Sequence, residues 1–519
     1  MRHPPTSINM AASPKKQAED ADDSSTVAGG IAEAVNLPTS ELRRDLNVRT
    51  LIGFGFSLSS SWLALSLSSI IAIAQGGTVT LLYGTLVVAL PYVCTGLTLA
   101  ELISVYPTAG GQYHFTSILA PPGWANGLSY ISGTSALFSW FAVYAGTLLI
   151  IANILFAMVI QYDLSFVPQP WHYFLIYQVI NVLTTIYNVY LVKKSLKIYD
   201  ISWFLSAAGC LIIPIVCLTR AEQKQSNEAV WTAFTNNTGW NDGICFLTGL
   251  ITPSFAFGGL DATMHLVEET IHPKKAVSKA LCYAIGLGIT TAFLFTVAMA
   301  YCIDDIDAIL STPTGMPIYQ LWINAMGSVD AATVFMVLIL IISLVVSIAT
   351  AQTASRLTWA LGRDNAFYGS SYLAKVHKQL GVPVRALVAN TVIVGVFGFL
   401  YLASTTAFNS FLGVAAQLLQ FSFAFPAALL IWRRRSTAFL PHNRFFRLPH
   451  PVGYACHFIA VAWSVVIMIF YMFPVALPVT SSSMNYAAVV VAIGSVILGL
   501  NWIFHARKHF DGPVIEMQE

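Results

Sequence analysis

The chain has 519 residues, 56% of them hydrophobic and only 10% charged, with a mean hydropathy of +0.68. A soluble globular chain carries about 25% charged residues, so this composition excludes an ordinary soluble domain and points to the membrane. The net charge of +2 decides nothing by itself. No basic stripe lies in a folded soluble region, which excludes a nucleic-acid partner.

Residues 1–48 are polar and carry Lys15-Lys16, Asp22-Asp23 and a Ser/Thr/Asn-rich run. They lack the apolar core of a signal peptide and read as a disordered cytoplasmic tail. Beyond them, apolar windows of the roughly 20 residues that cross a bilayer recur twelve times. They fall at about 50–74, 78–103, 124–158, 171–192, 197–219 and 243–267. The second set is at about 278–302, 330–359, 385–404, 408–432, 451–474 and 484–506. The third window exceeds what a bilayer needs, so its helix tilts or protrudes.

Threading the chain through these windows sorts its charges. All 26 Lys and Arg fall on one face except Arg220 and Lys224. Short loops rich in Lys and Arg mark the cytoplasmic side, which puts both termini inside the cell. The opposite face receives Asp304, Asp305, Asp307 and the sequon Asn236-Asn237-Thr238, making Asn236 a candidate glycosylation site. The seven cysteines are scattered, odd in number and without a C-x-x-C pair, so they read as small core residues. No metal-ligand spacing, P-loop or nucleophile elbow occurs, so neither metal, cofactor nor enzyme chemistry is expected.

Two windows are interrupted. The first contains Gly53-Phe-Gly55-Phe-Ser57-Leu-Ser59-Ser60-Ser61-Trp62, and the sixth contains Thr252-Pro253-Ser254-Phe255-Ala256-Phe257-Gly258-Gly259-Leu260-Asp261. Gly costs about 1 kcal/mol in a helix interior and Pro about 3, and Ser competes locally for backbone hydrogen bonds. Unwound backbone at membrane depth is tolerated where it lines a polar cavity. The two breaks lie five windows apart, the spacing of two five-helix repeats related by inverted pseudo-symmetry, which favours a transport site over mere close packing of small residues.

Four strings carry a resemblance. They are Thr98-Leu-Ala-Glu101-Leu-Ile-Ser-Val-Tyr-Pro107-Thr-Ala-Gly110-Gly111-Gln-Tyr, Phe257-Gly-Gly-Leu-Asp261-Ala-Thr-Met-His265-Leu-Val-Glu268-Glu269, Gln352-Thr-Ala-Ser-Arg356-Leu-Thr-Trp359, and Arg507-Lys508-His509-Phe-Asp-Gly512-Pro513. Occurring in order at matching helices, over about 45 to 515, they resemble the fungal amino acid/choline permeases, GABA permeases included, of the amino acid–polyamine–organocation superfamily. The resemblance implies an all-α integral membrane fold of twelve helices. In it a LeuT-like five-plus-five inverted repeat with helices 1 and 6 interrupted (49–433, repeats at about 49–220 and 243–433) is followed by helices 11–12 (434–506) and a C-terminal tail (507–519). It also implies uptake of amino acids, GABA or choline, with the proton as coupling ion, in a membrane expected to be the plasma membrane.

By residue, the resemblance places the substrate carboxylate at Ser59, Ser60, Ser61 and Trp62, and the rest of the substrate at Phe255, Ala256, Phe257, Gly258 and Gly259. Glu101 and the Pro107–Gly111 turn map to a gating element at the inner end of the second helix. Some bacterial relatives have a lysine in helix 5 that stands in for a sodium ion. Here that position falls at Ser206, which puts coupling through such a lysine in doubt.

Other groups keep two readings. Asp261 either carries the coupling proton or binds an amine, or it caps the following half-helix, the preferred reading by residue type. His265 reads as a hydrogen-bonded packing residue rather than a relay. Glu268 and Glu269 either form an interfacial latch with Lys274 and Lys275 or are simply solvated. Gln417 and Gln420 line the cavity or bind helices together, and Trp140 and Tyr144 wall the pocket or pack as aromatics. The expectation is a secondary transporter of a small zwitterion working by alternating access. Two alternatives stay open: a choline permease of the same fold, with Trp62, Phe255 and Phe257 as its aromatic cage, and an amino-acid receptor without flux.

Overall fold

The computed structural model describes residues 44–195, 197–480 and 484–513, apart from the side chains of Ile70, Ile71 and Asp307. Most of the predicted N-terminal tail and the last six residues lie outside the described residues. Among those described, the secondary structure is helical, and β-pairing is limited to two isolated bridges, Leu46–Thr270 and Gln75–Asn236.

In chain order the helices that carry the argument are α1 (Val48–Ser59), α2 (Ser61–Ala74), α3 (Gly77–Val105), α4 (Gln112–Leu119), α5 (Ala125–Tyr162) and α6 (Pro170–Tyr190). They continue as α7 (Lys197–Arg220), α8 (Asp242–Gly249), α9 (Ile251–Ala256), α10 (Pro273–Tyr301) and α11 (Pro317–Met326). The last are α12 (Val329–Arg363), α13 (Val384–Ala403), α14 (Thr405–Trp432), α15 (His450–Phe470) and α16 (Ala487–Asn501). Local chemistry sets many of the starts. Asn47 accepts from the Thr50 amide at 3.0 Å and Ser404 from the Ala407 amide at 3.2 Å, while Pro170, Pro273 and Pro317 open their helices at the first position.

Among the described residues, ten helical stretches are long and apolar enough to cross a membrane. They account for ten of the twelve predicted windows. The fourth window is α6, a 21-residue helix, and the sixth is split among α8, α9 and a 3-10 turn at Met264–Glu269. The outward faces of α6 (Leu175, Val179, Leu183, Ile186) and α7 (Ile201, Phe204, Leu211, Ile215) are exposed, large and apolar. Stripes of this kind at helical spacing suit hydrocarbon rather than water.

Packing follows a regular scheme: α3 lies against α10, α5 against α12 and α14, and α6 against α13. The second, third and fourth windows thus each pack against the window five places later. The core falls into two large apolar clusters, one around Phe54, Tyr106, Trp140 and Trp359 and one around Phe56, Trp62, Phe257 and Trp322. Both helix breaks sit where the clusters meet, since Leu58 and Leu260 belong to the first, Trp62 and Phe257 to the second.

Candidate functional site

The first break is a single residue. Ser60 has φ 29° and ψ 50°, and its amide still closes the last turn of α1 on the Phe56 carbonyl at 2.8 Å. Its hydroxyl donates to the Ser57 carbonyl at 2.6 Å and that of Ser59 to Phe56 at 3.3 Å. α2 then restarts at once, with the amides of Leu63 and Ala64 on the Ser60 carbonyl at 2.8 and 3.0 Å. The two amides ahead of them, those of Ser61 and Trp62, have no intrahelical acceptor.

The second break is longer. α9 ends with the Gly258 amide on the Phe255 carbonyl at 3.1 Å, and Gly259 follows at φ 79°. A Cβ at Gly259 would lie 2.4 Å from Leu58 Cδ2 and 3.4 Å from the Trp140 ring, so only glycine lets the two breaks touch here. Turns through Leu260–Thr263 lead into the 3-10 segment Met264–Glu269.

Between the breaks lies a cavity of about 80 Å³. A single water needs roughly 10–15 Å³ on this measure, so the space suits a small solute. Ser59, Ser60, Phe255 and Gly258 line it, as the sequence suggested. The other residues named there do not. Ser61 Oγ is buried and unpartnered near Gly288. The Trp62 indole turns away, donates to Ser206 Oγ at 2.9 Å and packs on Phe295. Ala256 is buried, Phe257 lies against Tyr92, and Gly259 against Leu58 and Trp140.

Sequence reasoning missed the opposite wall: Val143, Thr147 and Ile150 of α5, Ser343, Val346 and Thr350 of α12, and Ala415, Ala416 and Leu419 of α14. Trp140 and Tyr144 do not line the cavity. They bond Asp261 and Asn181 instead. Phe255 is the sole aromatic residue of the lining, and no charged side chain takes part. Gln417 and Gln420 join helices: Gln417 donates to the Ile467 carbonyl at 3.4 Å and Gln420 to Thr95 at 3.0 Å.

Asp261 corrects an expectation. It is fully buried and caps no helix with its side chain. Its Oδ2 accepts from Gln112 Nε2 at 2.9 Å and Trp140 Nε1 at 3.2 Å, and lies 3.1 Å from His265 Nε2. A side chain pulled into a tertiary network is no longer available to the local amides. His265 belongs to that network, with Nδ1 2.8 Å from the Ala109 carbonyl, and is hydrogen-bonded as expected.

The latch expected at Glu268 and Glu269 exists with other partners. Arg356 Nε donates to Glu269 at 2.8 Å, Lys193 also binds Glu269, and Arg363 donates to Glu268 at 3.0 Å. Lys275 lies over the Phe445 ring instead, 5.7 Å from its centroid. Burial pushes the Glu269 carboxyl up, but Arg356 and Lys193 together pull it further down, so it ends below the usual carboxylate range.

Glu101 is fully buried and bound by Arg435 (2.8 and 2.9 Å), Arg444 (2.9 Å) and the Leu448 amide (3.0 Å). It ties α3 to the loop between α14 and α15. On the opposite face, Asn236 spends its side-chain nitrogen on the Trp240 carbonyl (2.8 Å) and Asp242 (2.9 Å). The nitrogen a glycan would need is thus engaged within the loop.

The sequence profile of the family described as "Amino acid permease" matches residues 46–495. The chain is 32% identical over 472 residues to the choline transporter of Saccharomyces cerevisiae, covering 90% of this chain and 83% of that one. It is 31% identical to the transmembrane transporter swnT of Metarhizium robertsii, covering 88% and 90%. It is 28% identical to the amino-acid permease BAT1 of Arabidopsis thaliana, covering 91% and 94%. A multi-pass helical membrane protein whose two broken helices meet at a cavity, the chain belongs to the amino acid permease family of transporters.

Proposed function

We propose that the protein carries a small zwitterion, an amino acid or GABA, across the plasma membrane by alternating access, with protons as the driving ion. The basic face is taken as cytoplasmic under the positive-inside rule. The single observation that carries the substrate reading is the cavity, lined by residues of both helix breaks and by no charged side chain. Backbone N–H groups at the Ser59–Ser61 break suit a carboxylate, and the carbonyls of Phe255–Gly258 suit an ammonium. The apolar side chains between them suit an aliphatic body.

The packing of α3 on α10, α5 on α12 and α6 on α13 supports reading ten of the twelve helices as two inverted five-helix repeats. The α1/α2 and α8/α9 pairs would then tilt against a scaffold that includes α5 and α12. Asp261 is the candidate coupling group, and Glu268 with Glu269 the inner gate. Glu101, held by two arginines, is read as the anchor of that gate.

A second reading rests on one observation, the 32% identity to a protein named as a choline transporter. A quaternary ammonium has no N–H to donate and seeks aromatic faces. The cavity offers it only Phe255. The two are separated by uptake of labelled GABA, L-amino acids and choline into yeast lacking its own permeases, at two external pH values. Accumulation of one amino acid or GABA, stronger at acid pH, is the expected result. Accumulation of choline, with no competition from GABA, overturns the zwitterion reading, and no uptake with the protein at the cell surface overturns the permease reading.

A further inference from the structure

We infer that Asp261 and His265 together form a single proton-binding site, and that the conformation described above is the one in which that site is occupied. The inference rests on the proton-coupled reading just given and deepens it by counting the protons.

The count comes from hydrogen-bond chemistry. The Ala109 carbonyl can only accept, so His265 Nδ1, 2.8 Å away, carries a hydrogen. The other ring nitrogen lies 3.1 Å from Asp261 Oδ2. Neutral imidazole with Nδ1 protonated has only a lone pair there, and an ionised carboxylate has only lone pairs too. The contact is a hydrogen bond only when one further proton lies in it. Oδ2 also faces two N–H groups, Gln112 Nε2 at 2.9 Å and Trp140 Nε1 at 3.2 Å. Trp140 can only donate. The extra proton therefore belongs on His265 Nε2, which makes the pair an imidazolium against a carboxylate, neutral overall.

Removing that proton leaves a net negative pair in a site with no solvent exposure on either side chain. Two lone pairs would then face each other, and Oδ1 has no partner to compensate. Burying an unpaired charge is strongly unfavourable, so the deprotonated pair favours a conformation in which the contact opens. The pair bridges the parts that have to separate. Asp261 and His265 ride on the segment after the second break, whereas Ala109 and Gln112 precede and open α4, and Trp140 belongs to α5. Trp140 also packs where Gly259 passes, one residue from Gly258 in the cavity wall. Trp140 and Gly259 thus stand between the proton site and the cavity wall at Gly258.

The groups that face the pair from each side are few. Gln112 comes from α4, with Ser422 of α14 behind it at 3.4 Å, and Trp140 comes from α5. On the same segment, Glu268 and Glu269 are held by Arg363, Arg356 and Lys193. His114 and Tyr113 of α4 turn to Asp364, at 2.6 and 2.9 Å. Glu101 of α3 is bound by Arg435 and Arg444.

The test uses the full chain reconstituted in liposomes that enclose a pH-sensitive dye, with labelled GABA, an L-amino acid mixture and choline as probes. Counterflow at equal pH reads substrate movement alone, and accumulation down an inward proton gradient reads coupling. For both Asp261→Asn and His265→Gln, the expectation is a loss of gradient-driven accumulation of at least about tenfold, a silent dye, and surviving counterflow. Gradient-driven accumulation with proton entry in either variant overturns the inference. So does equal loss of counterflow and accumulation in both, which would mark a packing role. A native protein that exchanges substrate but moves no proton overturns the proton site and leaves the permease standing. A native protein that exchanges none of the probes overturns the permease reading, and the proton site with it.

Discussion

The two helix breaks solve the same problem in different ways. At the first, one residue leaves helical geometry, and two serine hydroxyls donate to carbonyls of the turn that ends there. At the second, the chain leaves the α-helix from Phe257 to Thr263 and resumes as a 3-10 turn. It gathers Asp261, His265, Glu268 and Glu269 within nine residues, all four of them buried. Hydroxyls satisfy backbone locally and carry no charge, so the first break suits a fixed binding surface. Buried ionic groups hold only while their partners stay in place, so under the proton-site proposal the second break is the one that senses protons and opens. A difference in sensitivity to mutation should follow.

The largest effect is expected at Arg356, which is fully buried against Glu269. Arg356→Ala leaves that carboxylate with Lys193 alone, and breaking a buried pair from one side costs about 3–5 kcal/mol. A fall in melting temperature in detergent, together with greater labelling of cysteines placed on the basic face, would report it. The Glu269 carboxyl sits below the usual range, so its contribution is present at neutral pH and is lost only as pH falls through that lowered value. This pair therefore adds no pH dependence between about pH 5 and 8. If Glu269→Gln flattens the pH profile of transport, the division of labour between latch and proton site is wrong.

Next in size is Gly258→Trp. A Cβ at Gly258 already meets the Phe255 carbonyl at 3.1 Å, and the ring would fill the cavity. Uptake should fall by about 100-fold, the scale set by misplaced binding groups, with protein still at the cell surface. Normal uptake would remove the cavity from the transport path.

Much of this architecture was legible before any coordinates. Apolar windows found the spans, and Gly, Ser and Pro clusters found both breaks, because helix-breaking chemistry is local. What stayed hidden is tertiary. The cavity wall on α5 follows Val143, Thr147 and Ile150 rather than the more conspicuous Trp140 and Tyr144. Most of α5 is buried, so hydrophobic periodicity marks no single face. The partners of Glu268 and Glu269 were sought at Lys274 and Lys275, which are near in sequence. His272 at φ 53° redirects the chain into α10, and the partners Arg356 and Arg363 arrive from α12, 87 and 95 residues away from Glu269 and Glu268. Asp261 read as a cap by residue type, since no local signal reveals that Gln112 and Trp140 compete for it.

The smallest effects should fall on the first break, and Ser60 separates backbone from side chain there. With φ 29° and ψ 50°, it sits where β-branched residues are strained. Ser60→Val should cost about 1–3 kcal/mol, since it keeps the strain and loses the hydroxyl donated to Ser57. Ser60→Gly loses the same hydroxyl but adopts the backbone freely, and the two terms nearly cancel, leaving a change within about 1 kcal/mol. Melting temperature reads both, and counterflow of the transported probe reads whether the hydroxyl contacts substrate. If Ser60→Gly is stable and still exchanges substrate, the backbone of the first break is the binding element. If it is stable but exchanges nothing, the hydroxyl itself is the contact, and the first break is as chemically specific as the second.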